Sequence, residues 1–214
     1  MAWPRRRSPP AANRAAIAAV VLLVLACLSP ASGEAATGAD TIRRFYDALM
    51  GTMREGSSLG AKGRYARLAP VIEQNFDLPY MTRMAVGPSW GRLSKDKQQE
   101  ATSALAREIA ATYASRFDHY SGQQLQVTGE QKRDPGAIVD SQIVRADGSV
   151  VAIRYLMREE EDGWRVADIY LSGTISELAT RRSEFASVLH RDGIDGLIAA
   201  LNRKTDALMR EAER

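Results

Sequence analysis

At Gln123 the hydrophobic period of this chain changes. Before it, apolar residues recur every three or four positions; beyond it they alternate with polar ones. A run of helices followed by a run of strands does not wind into alternating β-α units. It predicts an α+β fold, a four-stranded antiparallel curved sheet packed against helices. The strands are expected around Leu125 and Val127, then over 138–144, 150–157 and 164–171. Asp147-Gly148 is a strong hairpin signal between the second and third, and a Glu-Asp-Gly turn precedes the fourth. In that last strand simple alternation puts Trp164, Val166, Asp168 and Tyr170 on one side, and Arg165, Ala167, Ile169 and Leu171 on the other.

The helical half reads in pieces. Ile42, Phe45, Tyr46, Leu49, Met50 and Met53 give a helix over 40–54 with Asp40 as its cap. The Gly- and Ser-rich residues 56–63 read as a loop, after which Tyr65, Leu68, Val71 and Ile72 mark a second helix ending near Phe76. Asp77 caps a short third helix with Pro79 in its first turn, stopped by Gly87-Pro88. Ser94 opens a long helix that is expected to run to Gly122. Behind the strands, Ser176 starts a helix over 176–190, and a last one covers 194–209 with Gly193 between them.

The first residues have a different character. Arg5, Arg6, Arg7 and Arg14 precede an apolar run from Ala15 to Leu28, and Ala31-Ser32-Gly33 offers small side chains for cleavage. This is the layout of a secretory signal over residues 1–33, with Gly33-Glu34-Ala35 as a second cleavage site. Cys27, the one cysteine, follows Val24-Leu25-Ala26, a loose lipobox; if it leaves with the signal, the exported chain has no disulfide. Residues 34–214 are one domain by size. Residues 1–33 hold four arginines and no acid, so their removal takes the net charge from +3 to −1. No basic stripe remains of the kind that neutralises nucleic-acid phosphates.

Motifs across nearly the whole of this domain resemble the MlaC (toluene-tolerance) family of periplasmic lipid carriers. They are Trp164-x-Val166-x-Asp168, Gly173 and Ser176 in a turn, and Arg181 with Phe185 in the helix behind it. Asn75-Phe76-Asp77, Met81-x-x-Met84-Ala85, Gly87-x-x-Trp90, Tyr113 and Tyr120 fall at similar spacings. Gly63-Arg64-Tyr65, Leu68-Ala69-Pro70, Val86-Gly87-Pro88 and Phe117-x-x-Tyr120-Ser121-Gly122 look closer to the hopanoid-associated HpnM branch. The resemblance implies a cone-like fold with an apolar cavity. It further implies a phospholipid or hopanoid cargo, exchange with an inner-membrane ABC lipid-transport complex, and neither catalytic residues nor a cofactor. On that basis the best candidates for tail contacts are Tyr80, Met84, Trp90, Tyr113, Phe117, Val151, Ile153, Tyr155, Met157, Trp164 and Val166. Periodicity alone marks these only as core, and methionine suits irregular apolar partners.

Catalytic and metal patterns are thin. His119 and His190 are far apart and lack the spacing of a metal site. Ser172-Gly173 is no nucleophile elbow, no Gly-rich phosphate cradle is present, and the acidic run Glu159-Glu160-Glu161-Asp162 reads as a solvated hairpin tip. Asp168 is the one carboxylate with a case. Buried in an apolar strand it needs a partner, for which Arg154, Arg181 and Arg182 are candidates. It reads either as an ion pair tying strand to helix or as a general base in a small-molecule isomerase or hydrolase on a similar cone. A third reading is an interaction module with a filled core.

Overall fold

The computed structural model describes Met1 and residues 36–172 and 174–214. The expected signal segment, its cleavage sites, Cys27 and Gly173 of the turn motif lie outside the described residues. Helix α1 spans Gly38–Arg54, α2 Gly56–Asn75, α3 Leu78–Val86 and, after a 3-10 turn over Gly87–Arg92, α4 Lys95–Arg116. Strands β1 (Gln124–Lys132), β2 (Ala137–Val144), β3 (Val150–Glu160), β4 (Gly163–Leu171) and β5 (Ile175–Ser176) follow, and α5 (Glu177–Ala212) closes the chain. Among the described residues no helix is long and apolar enough to cross a membrane.

The sheet is an antiparallel meander in the order β1-β2-β3-β4-β5. It has five strands, not the expected four. The chain turns back after Leu171, and Ile175 and Ser176 pair with Leu171 and Tyr170 before Ser176 caps α5. An isolated parallel bridge joins Phe76, just after α2, to Val166 of β4.

Strict alternation fails at two places. In β4, Leu156 pairs with Asp168 but Met157 pairs with Val166, which leaves Ala167 as the extra residue of a bulge. Val166 therefore shares a face with Ile169 and Leu171, not with Asp168. In β1 the same happens at Thr128. That shift brings Glu130 opposite Val139, on the helix-covered face, where its carboxylate accepts the Ala39 N–H at the start of α1 (2.8 Å).

The helices lie over this face. α1 begins two residues before Asp40, and its cap is Thr37. The Thr37 hydroxyl accepts the Asp40 N–H (3.1 Å) and the Asp40 carboxylate accepts the Thr37 N–H (3.0 Å), a reciprocal capping box. The residues expected as a loop are helical from Gly56, with a break at Gly60, whose φ of 62° glycine adopts without strain. Gly56 serves contact rather than flexibility: a Cβ there would stand 1.8 Å from the Asp118 carbonyl oxygen. The same contact accounts for the early end of α4. The chain leaves the helix after Arg116, laying Asp118 on Gly56 and stacking the Phe117 ring on Tyr113 at 5.5 Å. The buried Arg64 then satisfies the carbonyls of Ala114 (2.8 Å) and Gly56 (3.0 Å). α5 bends at Gly193 (φ 68°), where the sequence predicts a break.

The core lies between sheet and helices: Ile42, Phe45 and Leu49 of α1, Leu68 and Ile72 of α2, Leu105 and Ile109 of α4, and Val139, Tyr155 and Met157 of the sheet.

Candidate binding cavity

Between the helices and the sheet, the core is not filled. A cavity of about 630 Å³ opens there, within the range of about 300–1,000 Å³ usual for small-molecule sites. Register dictates its sheet wall. Val151, Ile153 and Tyr155 of β3 alternate toward the helices, with Ile143 of β2 opposite Val151, Leu171 of β4 opposite Ile153, and Ile169 opposite Tyr155. The helical wall comes from Tyr46 and Leu49 of α1, Met81 of α3, and Ile109, Thr112 and Tyr113 of α4.

The mouth lies at the end of the sheet where β2 turns into β3. There Arg145, Ala146 and Asp147 of the hairpin meet Arg116 and Phe117 at the end of α4, Ser121 and Gln123 of the following segment, and Glu177 at the start of α5. Arg116 and Arg145 are exposed, and among the described residues neither forms an ion pair. The wall is thus apolar within and charged at its rim, where Arg116 and Arg145 stand among Asp147 and Glu177, the polarity order of an amphiphile.

Polar groups inside the cavity wall are held by one another. Tyr46 and Ser141 hydroxyls are 2.7 Å apart, Tyr46 and Tyr155 hydroxyls 3.2 Å, and Ser141 donates to the Ile153 carbonyl (3.0 Å). Burial raises the phenols of Tyr46 and Tyr155 above their ordinary range, so both stay protonated. Arg181, on the other wall, donates to Glu108 (2.7 Å), which has no exposed surface and also receives Lys204 (2.8 Å). Burial opposes its ionisation, but the two cations more than offset that and hold its carboxyl below the usual range. Its sequence signal was a lone acid on the stripe formed by Leu105, Ile109 and Thr112.

Of the residues proposed for tail contacts, five line the cavity: Tyr113, Phe117, Val151, Ile153 and Tyr155. The other six lie elsewhere. Met157 is sealed beneath α1, where a Cβ on Gly38 would meet its Cγ at 3.1 Å. Val166 is its buried partner, and half-buried Trp164 pairs with Glu159 near the far end of the sheet. Tyr80 carries the Arg158 guanidinium 4.4 Å above its ring, while Met84 and Trp90 pack on the outer side of the core. The bulge at Ala167 brings Ile169 and Leu171 onto the face of Trp164 and Val166, and of these four only Ile169 and Leu171 reach the cavity, since Trp164 and Val166 lie toward the far end of the sheet.

Asp168 does not border the cavity, and none of the three arginines is its partner. Its carboxylate accepts the N–H of Ile169 (2.7 Å) and Leu178 (3.0 Å) and the Ser176 hydroxyl (2.6 Å), tying β4 to the start of α5. Arg154 instead pairs with Asp140 (2.8 Å), and Arg181 with Glu108. Backbone donors and the Ser176 hydroxyl thus meet the need that burial creates, and Asp168 is not placed to act as a general base in this cavity. Among the described residues no three potential metal ligands come together.

Comparison with known proteins adds two findings. The family model described as MlaC protein matches residues 43–203. The solved structure of a phospholipid-binding protein from Ralstonia solanacearum, in complex with a phospholipid, superimposes with a TM-score of 0.69 at 23% identity; the match covers 81% of this chain and 99% of that one. At that identity the likeness establishes a shared fold.

Proposed function

This chain belongs to the MlaC family, and we propose that it is a periplasmic carrier that encloses the tails of a phospholipid or hopanoid-type lipid and exchanges it with a membrane ABC lipid-transport complex. The observation that carries this reading is the apolar cavity with a charged rim that includes Arg116 and Arg145. Each buried CH₂ removed from water is worth about 0.8 kcal/mol. A dry cavity supplies that gain in a water-filled compartment, while the polar head stays at the mouth. There Arg116 and Arg145, neither held in an ion pair among the described residues, can donate charge-assisted hydrogen bonds to a phosphate. The fold it shares with the phospholipid-binding protein from Ralstonia solanacearum supports a lipid of the same class. The apolar run and the small residues of the N-terminal segment support export. Organic extraction of the purified protein followed by lipid mass spectrometry tests the proposal. A stoichiometric lipid is the expected result; a protein that carries none and takes none from vesicles overturns it.

A further inference from the structure

Tyr113 stands apart from the other tyrosines of the cavity. Tyr46 and Tyr155 spend their hydroxyls on each other and on Ser141. The Tyr113 ring is wedged edge-on against Phe45 (5.4 Å) and Phe76 (6.2 Å) and stacked on Phe117, so its position is fixed. Its hydroxyl makes no hydrogen bond to any described residue. Among the described residues no fully sealed side-chain oxygen lacks a partner. The Tyr113 hydroxyl therefore reaches open space, and the space Tyr113 borders is the cavity. Burial raises this phenol too, which keeps it a protonated donor.

Its place along α4 narrows what it meets. Ile109, Tyr113 and Arg116 all line the cavity, Ile109 buried and Arg116 exposed. The helix thus runs from the apolar depth to the charged mouth, and Tyr113 lies about 4.5 Å of axial rise inside Arg116. Arg181, the cation that lines the cavity below the mouth, is already held by Glu108. A bare phosphate gains little there; a neutral acceptor oxygen one step below a phosphate fits. Resting on the carrier reading above, we propose that Tyr113 determines cargo specificity by donating to an ester carbonyl of a glycerolipid whose phosphate sits at the Arg116 and Arg145 rim.

Competition between two lipids tests this. The full chain is equilibrated with vesicles containing equal amounts of a diester phosphatidylcholine and the diether analogue with the same chains, and bound lipid is identified by mass spectrometry. The wild type should be enriched in the diester about fivefold, the equivalent of about 1 kcal/mol for one hydrogen bond. Tyr113→Phe should bind both lipids equally. Each ratio is read within one protein, so a general loss of stability does not move it. A wild type that takes both lipids equally overturns the proposal whatever the variant does, as does a variant that keeps the preference. Binding of neither lipid by the wild type overturns this inference and the phospholipid form of the carrier reading, and leaves that of a hopanoid-type cargo to the extraction test.

Discussion

Arg181 donates to Glu108 at 2.7 Å across the wall of the cavity, and Glu108 has no surface in contact with water. The pair ties α4 to the first half of α5, while Lys204, also on Glu108, ties α4 to the second half beyond the bend at Gly193. One carboxylate thus fixes both arms of a bent helix against the helix that lines the cavity.

Glu108→Gln should cost about 3 kcal/mol, the lower end for breaking a buried ion pair, because half-exposed Lys204 can turn to water. Lys204→Ala should cost under about 1 kcal/mol. At about 2–4 °C per kcal/mol for a chain of this size, the first is a drop of roughly 6–12 °C in thermal melting. Equal shifts for the two variants would contradict the central place given to Glu108.

The same carboxylate carries a pH dependence. Its pKa is lower in the folded state than its ordinary 4.5, so it binds fewer protons there than in the unfolded chain. Its contribution is complete above the unfolded value and is lost as pH falls through the folded one. Melting curves of wild type and Glu108→Gln should therefore differ most near neutrality and draw together as the pH falls below 4.5. A gap that widens on acidification would reverse the assigned sign.

Two glycines near the mouth should respond in opposite directions. Gly51 lies inside α1 with nothing within 4 Å of an added Cβ, so Gly51→Ala should stabilise by about 0.5–1 kcal/mol. Gly56→Ala drives a methyl into the Asp118 carbonyl and should cost about 3 kcal/mol. Urea unfolding measures both. A neutral Gly56→Ala would mean that the segment after α4 is not packed on α2.

These contrasts also mark what the sequence could reveal. The helices and strands were legible because their apolar residues keep a period: Ile42, Phe45, Tyr46 and Leu49 all point inward, and the β2–β3 hairpin turns where Asp147-Gly148 says it should. The Gly-rich start of α2 misled because glycine signals two opposite things, freedom at Gly60 and tight contact at Gly56, and only the neighbour distinguishes them. The bulge at Ala167 was hidden for a related reason. A single inserted residue leaves composition unchanged yet reverses every later side chain, and its one trace was an acid, Asp168, on a supposedly apolar face. Tyr46 and Leu49 were legible as core but not as cavity, since a cavity is defined by what is missing between two walls far apart in sequence.

Asp168→Ala removes the acceptor for two backbone N–H groups and the Ser176 hydroxyl, so it should lower stability by about 2 kcal/mol. Lipid bound per folded molecule should be unchanged, because Asp168 lies outside the cavity wall. Loss of lipid from a well-folded variant would place Asp168 in the binding site after all.

The decisive substitutions are on β3. Val151 is half-buried toward the mouth, and Ile153, 8% exposed, lies deeper opposite Leu171. Both face the cavity, whereas Ala152 between them is exposed on the other side of the sheet. A carboxylate at the mouth end of a cavity keeps contact with water, so Val151→Glu should melt within a few degrees of wild type yet hold no lipid. Ile153→Glu puts its charge where less water reaches and should cost several kcal/mol more than Val151→Glu. Ala152→Glu should change neither property. Bound lipid and melting temperature, measured side by side, separate the alternatives. Collapse of both inward-facing variants would make this face ordinary packed core, and full lipid retention by a folded Val151→Glu would move the cargo out of this cavity.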